Sequence, residues 1–177
     1  MKTDAQALPA KIGLIAATHE HQAIIANLLQ LYAHDFSEFH EVDLGEDGRF
    51  TYHDLPLYWS EANRFPFLVT ADGKLAGFVL VKETHGGEDQ KSWDMAEFFV
   101  LRSHRRMGLG TDVAHRVWRL FPGPWQVRVM EANEAGRSFW ERSIAAFTGL
   151  PVASERAKKD GHTWHIFSFV SSLPLVS

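Results

Sequence analysis

Arg105-Arg106-Met107-Gly108-Leu109-Gly110 is the segment of this 177-residue chain best equipped for chemistry. It follows an apolar, strand-like run, Phe98-Phe99-Val100-Leu101, and precedes a stretch with helical spacing that opens at Thr111. Glycines at alternate positions leave the backbone without Cβ atoms, so consecutive N–H groups can gather round a phosphate, and a following helix adds the positive end of its dipole. Arg105 and Arg106 add formal charge at the same spot. The pattern R-x-x-G-x-G after a strand differs from the dinucleotide fingerprint G-x-G-x-x-G, and no βαβ repeat follows it. On its residues alone the segment is an anion cradle.

The elements that must hold such a cradle read as interleaved strands and helices. Residues 12–17 form a strand, closed by Thr18, a good helix N-cap with Glu20 in the first turn. Ile24, Ile25, Leu28, Leu29, Leu31 and Tyr32 recur at helical spacing and predict one buried face; a polar and aromatic irregular region follows from His34, with turns at Gly45 and Gly48. Residues 67–70 and 75–82 make a hairpin about Asp72-Gly73. A loop over 84–91, containing Gly86-Gly87, leads into the strand 92–101 that feeds the cradle. Val113, Ala114, Val117, Trp118 and Phe121 then trace a helix ended by Pro122-Gly123-Pro124. Residues 125–130 are a strand. Asn133 caps a helix whose Phe139, Trp140, Ile144 and Phe147 share a face, stopped by Gly149 and Pro151. Strands over 152–156 and 163–170 meet around Asp160-Gly161. The order β α (α) β β β α β α β β predicts an α/β (α+β) architecture, a mixed sheet with helices on its faces. The length favours one domain, 1–177.

Composition narrows the chemistry. With no cysteine, disulfides, thiolate metal sites and cysteine nucleophiles are excluded. A net charge of −4 gives no basic footprint for nucleic acid, so anion binding is local. The apolar runs fall short of the ~20 residues that span a bilayer. The amino-terminal stretch, broken by Asp4, Gln6 and Pro9, lacks the apolar core of a signal peptide. The expectation is a cytoplasmic protein that acts on neither nucleic acid nor membrane. The ten histidines show no established ligand spacing, so no metal is expected. His104 and His115 flank the cradle, where phosphate contact and plain exposure are both open.

Loop, following helix and element order together resemble the GNAT superfamily of acetyl-CoA-dependent N-acetyltransferases across nearly the whole chain. The family's acyl-CoA motif is a valine-ended strand, a turn, then Arg or Gln, two residues, Gly, one residue, and Gly or Ala opening a helix. Val100 and Arg105 to Gly110 match it. A second motif, an asparagine at the next helix start, a small residue three later and an aromatic pair, is met by Asn133, Gly136, Phe139 and Trp140.

The resemblance implies a central, mostly antiparallel sheet of about seven strands with about four helices. It implies a CoA pyrophosphate on the N–H groups of Arg106, Met107, Gly108, Leu109, Gly110 and Thr111, with Arg105 at the motif's head. Pantetheine would lie along Phe98, Phe99 and Val100 like an added strand, between two splayed strands, with Asn133 and Trp140 beside it. The reaction implied is direct transfer of acetyl from the thioester to an amine in a ternary complex. Acidic residues three or four places before the valine often act as base, and here those places hold Glu97 and Ala96. Glu97 is the expected base, and strand alternation decides which face it uses. Trp140 stands where the family commonly has the tyrosine that protonates the thiolate, and an indole N–H is no acid near neutral pH. By analogy the acceptor wall is Asp35, Phe36, Glu38 and Tyr58, with His40 and Trp59 nearby. The acceptor is a small-molecule or peptide amine, and a homodimer is compatible with the sequence. A catalytically weak acyl-CoA-binding or regulatory module of the same fold is the alternative.

Overall fold

The computed structural model describes residues 11–85 and 90–172. Strand β1 (Ile12–Ala16) is followed by α1 (Gln22–Phe36) and a short α2 (Leu57–Ser60). Then come β2 (Arg64–Ala71), β3 (Lys74–His85), β4 (Lys91–Val100), α3 (Leu109–Leu120), β5 (Gly123–Met130), α4 (Glu134–Thr148), β6 (Ser154–Lys159) and β7 (His162–Ser171). The seven strands form one mixed sheet in the order β1-β2-β3-β4-β5-β7-β6. Every pairing is antiparallel except β4 with β5. Seven strands and four α-helices match the expected architecture. Among the described residues no helix is long and apolar enough to cross a membrane.

The two hairpin turns follow from local chemistry. Asp72-Gly73 and Asp160-Gly161 all take positive φ, between 50° and 77°, the left-handed backbone that a two-residue hairpin of right-twisted strands demands. Strands β2 and β3 are buried on both faces, which is why they read as nearly continuous apolar runs. One face, with Val79, Val81, Trp93 and Met95, packs on Val113, Val117, Trp118 and Ile144 of α3 and α4. The other, with Leu68, Phe78, Leu80 and Phe99, packs on Ile25, Leu28 and Leu29 of α1 and Tyr58 of α2.

Several expectations change. Thr18 does not start α1 directly: a 3-10 turn, His19–His21, intervenes, and His21 takes the reciprocal role in the capping box, its Nδ1 accepting from the Thr18 N–H at 3.1 Å. Leu31 is half-exposed rather than on the buried face, because it sits about 110° round the helix from the stripe centred on Ile25, Leu28, Leu29 and Tyr32. Gly123 and Pro124 belong to β5, which begins two residues before the expected strand. The Gly86-Gly87 turn falls outside the described residues.

Candidate active site

The site is made by an irregularity in β4. Leu80 pairs with Glu97, yet its neighbour Val81 pairs with Met95, so Ala96 is an extra residue on β4, a β-bulge. Trp93 and Met95 face α3 and α4. Plain alternation would send Glu97 the same way. The bulge resets the phase instead: Phe98 and Val100 now join that side, while Phe99 joins the α1 side and Glu97 goes with it. The same bulge ends the contact with β5. The parallel ladder consists of Trp93 with Trp125 and Asp94 with Gln126, both before Ala96. Beyond it the strands part, and a cleft of about 700 Å³ opens, lined by Phe98, Phe99 and Val100 and by α3 and α4.

The cradle closes one end of this cleft. Gly108 caps α3 with φ 81°, and the first intrahelical bond runs from Asp112 N–H to the Gly108 carbonyl at 3.1 Å. The N–H groups of Leu109, Gly110 and Thr111 therefore precede the helical ladder and are free for an anion. A Cβ on Gly108 would meet nothing within 4 Å, so this backbone borders open space. Gly110 is glycine for a different reason: a Cβ there would press on the Phe139 ring at 3.2 Å, so its absence lets α3 close on α4. Leu109 buries its side chain in the core and Met107 points outward, so the anion can meet only their backbone.

The loop's charges are divided. Arg105 Nε donates to the Val100 carbonyl at 2.7 Å, and its terminal nitrogen pairs with Asp35 Oδ2 at 2.6 Å. Arg102 holds Asp35 Oδ1 at 2.7 Å. Asp35, at the end of α1, is thus saturated by two arginines. Burial raises its pKa, but hydrogen bonds from Arg102 and Arg105 outweigh that and hold it below the usual carboxylate range. Arg106, at φ 64°, and Arg142 both line the cleft and have no ion-pair partner among the described residues. They are the cations left for a phosphate. Asp35→Ala should loosen the loop, lowering the melting temperature by a few degrees and weakening acetyl-CoA binding severalfold, readable by calorimetry. Because the Asp35 pKa is depressed, the brace persists above the carboxylate's unfolded value and is lost as pH falls through the folded one.

Asn133 caps α4, its Oδ1 accepting from Gly136 N–H at 2.8 Å. A Cβ on residue 136 would collide with the Asn133 side chain at 2.6 Å, which explains the small residue three places on. Trp140 is buried, its ring edge-on to Phe98 at 4.9 Å, and the indole N–H has no acceptor among the described residues. His115 is taken up by structure, its Nε2 lying 2.8 Å from the Ser143 carbonyl between α3 and α4.

Glu97 faces a cluster of tyrosines and, unlike its neighbours Phe98 and Phe99, is not part of the cleft lining. Tyr52 donates to its Oε1 at 2.9 Å. Burial drives its pKa from an ordinary 4.5 to about 7, against the pull of hydrogen bonds from Tyr32 and Tyr52; the Asp94 charge adds to the rise and Arg128 opposes it. Phe36, Glu38 and Asp35 line the cleft beside Tyr32. Tyr58 does not line it: it is buried in the α1 layer under the Arg64 guanidinium, with its hydroxyl unpartnered. His40 packs on His162 at 4.4 Å, and the Trp59 indole donates to the Ala17 carbonyl at 3.2 Å. Tyr52, Tyr32 and Arg142 were not singled out by sequence as site residues. Tyr52 sits in an irregular segment with no periodicity to mark it, and Arg142 is one surface arginine among several. Among the described residues no three His, Asp or Glu side chains gather as metal ligands.

A sheet split at a bulge, with a glycine cradle at its mouth, defines an acyl-CoA transferase scaffold. Residues 25–146 match the model of the acetyltransferase (GNAT) family, and the chain belongs to that family. An acetyltransferase from Thermus thermophilus superposes with a TM-score of 0.62 at 16% identity, covering 90% of this chain and 97% of its own. Spermidine N-acetyltransferase from Vibrio cholerae, in complex with CoA and spermine, gives 0.60 at 16%, with coverages of 90% and 95%. Arabidopsis thaliana NAA60, in complex with a bisubstrate analogue, gives 0.61 at 12%, with coverages of 92% and 100%. A search of curated proteins returned no match.

Proposed function

We propose that the protein transfers the acetyl group of acetyl-CoA to an amine by direct attack in a ternary complex, with Glu97 as the base. The observation that carries this reading is Glu97 itself, a half-buried carboxylate with its pKa pushed up to about 7, on the strand that parts from β5. An ammonium has no lone pair, and a base poised near neutrality is the group to take its proton. Acetyl-CoA supplies a thioester whose C–S bond gives way to a C–N bond. The free N–H groups at the start of α3, with Arg106 and Arg142, suit its pyrophosphate. The unpaired edge of β4 at Phe98 to Val100 suits pantetheine, with the Asn133 amide nitrogen alongside. A strand N–H near Phe99 serves the oxyanion.

Phe36 and the exposed Glu38 are the acceptor-side candidates that line the cleft with their chemistry uncommitted, and they favour a cationic amine. Asp35 contributes through the loop it braces. The related structures include a spermidine acetyltransferase, which makes polyamines a natural first panel, alongside peptide and amino-acid amines.

Trp140, in place of a tyrosine acid, favours the second reading, an acyl-CoA-binding module with weak turnover. Thiol release from acetyl-CoA across a broad amine panel separates the two. Release with any class supports the transferase; silence across the panel, with thermal stabilisation by acetyl-CoA intact, supports the module. Trp140→Phe should lower turnover severalfold at most, since an indole can donate a hydrogen bond without giving up its proton. A loss of several orders of magnitude in a folded variant would make that N–H chemically essential.

A further inference from the structure

We propose that Tyr52 is a positioning residue for the acid–base step: the segment between α1 and α2 packs against Glu97, and the Tyr52 phenol pins one carboxylate oxygen and so fixes the orientation of the base. This rests on the reading of Glu97 as base.

The segment has little regular structure, yet it is fastened on both sides of Tyr52. Two residues upstream, the Gln30 side chain clasps the Phe50 backbone: its Nε2 donates to the Phe50 carbonyl at 3.0 Å, and its Oε1 accepts from Phe50 N–H at 2.8 Å. Leu44 bridges to Phe50, and Gly45 N–H donates to the Arg49 carbonyl at 2.9 Å, which closes the turn onto that clasp. Downstream, Leu55 N–H donates to the Tyr52 carbonyl at 3.2 Å, and Arg64 of β2 pairs with Asp54 at 3.3 Å and with Glu61 at 2.6 Å. A double amide clasp to α1 and an ion pair to β2 fix where the phenol lies.

What the phenol does there is decided by its single proton. It donates to Oε1 at 2.9 Å, beside Tyr32, the second phenol that acts on the same carboxyl. A hydrogen bond to a carboxylate is roughly twice as strong as one to a neutral carboxyl, so the contact favours the ionised, proton-accepting form against the burial that disfavours it. Every packed element contributes to this balance. Tyr32 faces Glu97 from α1, Tyr58 from α2, Asp94 from β4 itself and Arg128 from β5. Arg64, from β2, acts on Tyr58. Asp94 is tied to Arg128, so its charge is partly cancelled. Tyr52 is the group in this set held by a loop rather than by a helix or strand.

The test is Tyr52→Phe, which keeps the ring and removes the hydroxyl. The acid limb of the kcat/KM profile for the amine should move up by about one pH unit, with activity largely recovered at alkaline pH and the KM for acetyl-CoA unchanged. Gln30→Leu, which opens the clasp without touching the site, should move the limb the same way by less. A readout independent of turnover is the titration of the Glu97 side-chain carboxyl by carbon NMR, whose midpoint should rise in Tyr52→Phe. An unmoved midpoint and acid limb would overturn the proposal. A raised midpoint in a protein silent toward all amines would support the contact and sink Glu97 as the base.

Discussion

Glu97→Gln is expected to cut turnover by about two to four orders of magnitude while leaving acetyl-CoA binding intact, the range in which loss of a general base falls. The amide keeps the size and the acceptor oxygen for Tyr52 but cannot take a proton. The same variant should be more stable than wild type above neutral pH. The carboxyl's pKa stands at about 7 in the folded protein against an ordinary 4.5, so the raised value favours folding of the neutral form. Stability from this group is fully present below the unfolded value, and it is lost as pH rises from there through 7. The full difference corresponds to roughly 3 kcal/mol between the protonation states, an order of magnitude that a glutamine would recover at pH 8 and not at pH 4. Melting curves across that range, beside thiol-release rates, check both halves. A variant that stays fully active would remove Glu97 from the chemistry. One that is inactive and no more stable at pH 8 would mean that ionised Glu97 costs the fold nothing.

How far the sequence reveals this site depends on how local each cause is. The turns at Asp72-Gly73 and Asp160-Gly161 were legible because two adjacent residues determine the backbone. The cradle was legible because R-x-x-G-x-G carries its backbone geometry with it, and the Asn133–Gly136 pair because the cap bond spans three residues. The face of Glu97 was not. It turns on a bulge at Ala96 that no residue type announces, created where β4 must pair with β3 and part from β5 at once. Asp35 reads naturally as an acceptor-side acid until its partners appear, and those lie 67 and 70 residues away in Arg102 and Arg105. Tyr52 is 45 residues from the carboxylate it holds. Long-range polar contacts of this kind leave no periodicity in the sequence.

Gly108→Val should abolish measurable acetyl-CoA binding, and the structure separates two reasons for it. The first is strain: residue 108 sits at φ 81°, where a β-branched side chain costs about 1–2 kcal/mol or more. The second is obstruction, since a side chain here would project into the open space at the head of α3 rather than into protein. Valine incurs both. Gly108→Asn divides them, because asparagine tolerates left-handed backbone and so should melt near wild type while still filling the mouth of the cradle. If obstruction governs, both variants lose the cofactor by two orders of magnitude or more in calorimetric titration, and only valine loses stability. If strain governs, asparagine binds nearly as wild type and valine alone fails. Retained affinity in the valine variant would show that no phosphate approaches this backbone, and the free N–H groups of Leu109, Gly110 and Thr111 would need another partner. Gly110→Ala is the contrasting control. Its methyl would meet the Phe139 ring, so its effect should appear first in stability, through the packing of α3 on α4, and only afterwards in affinity.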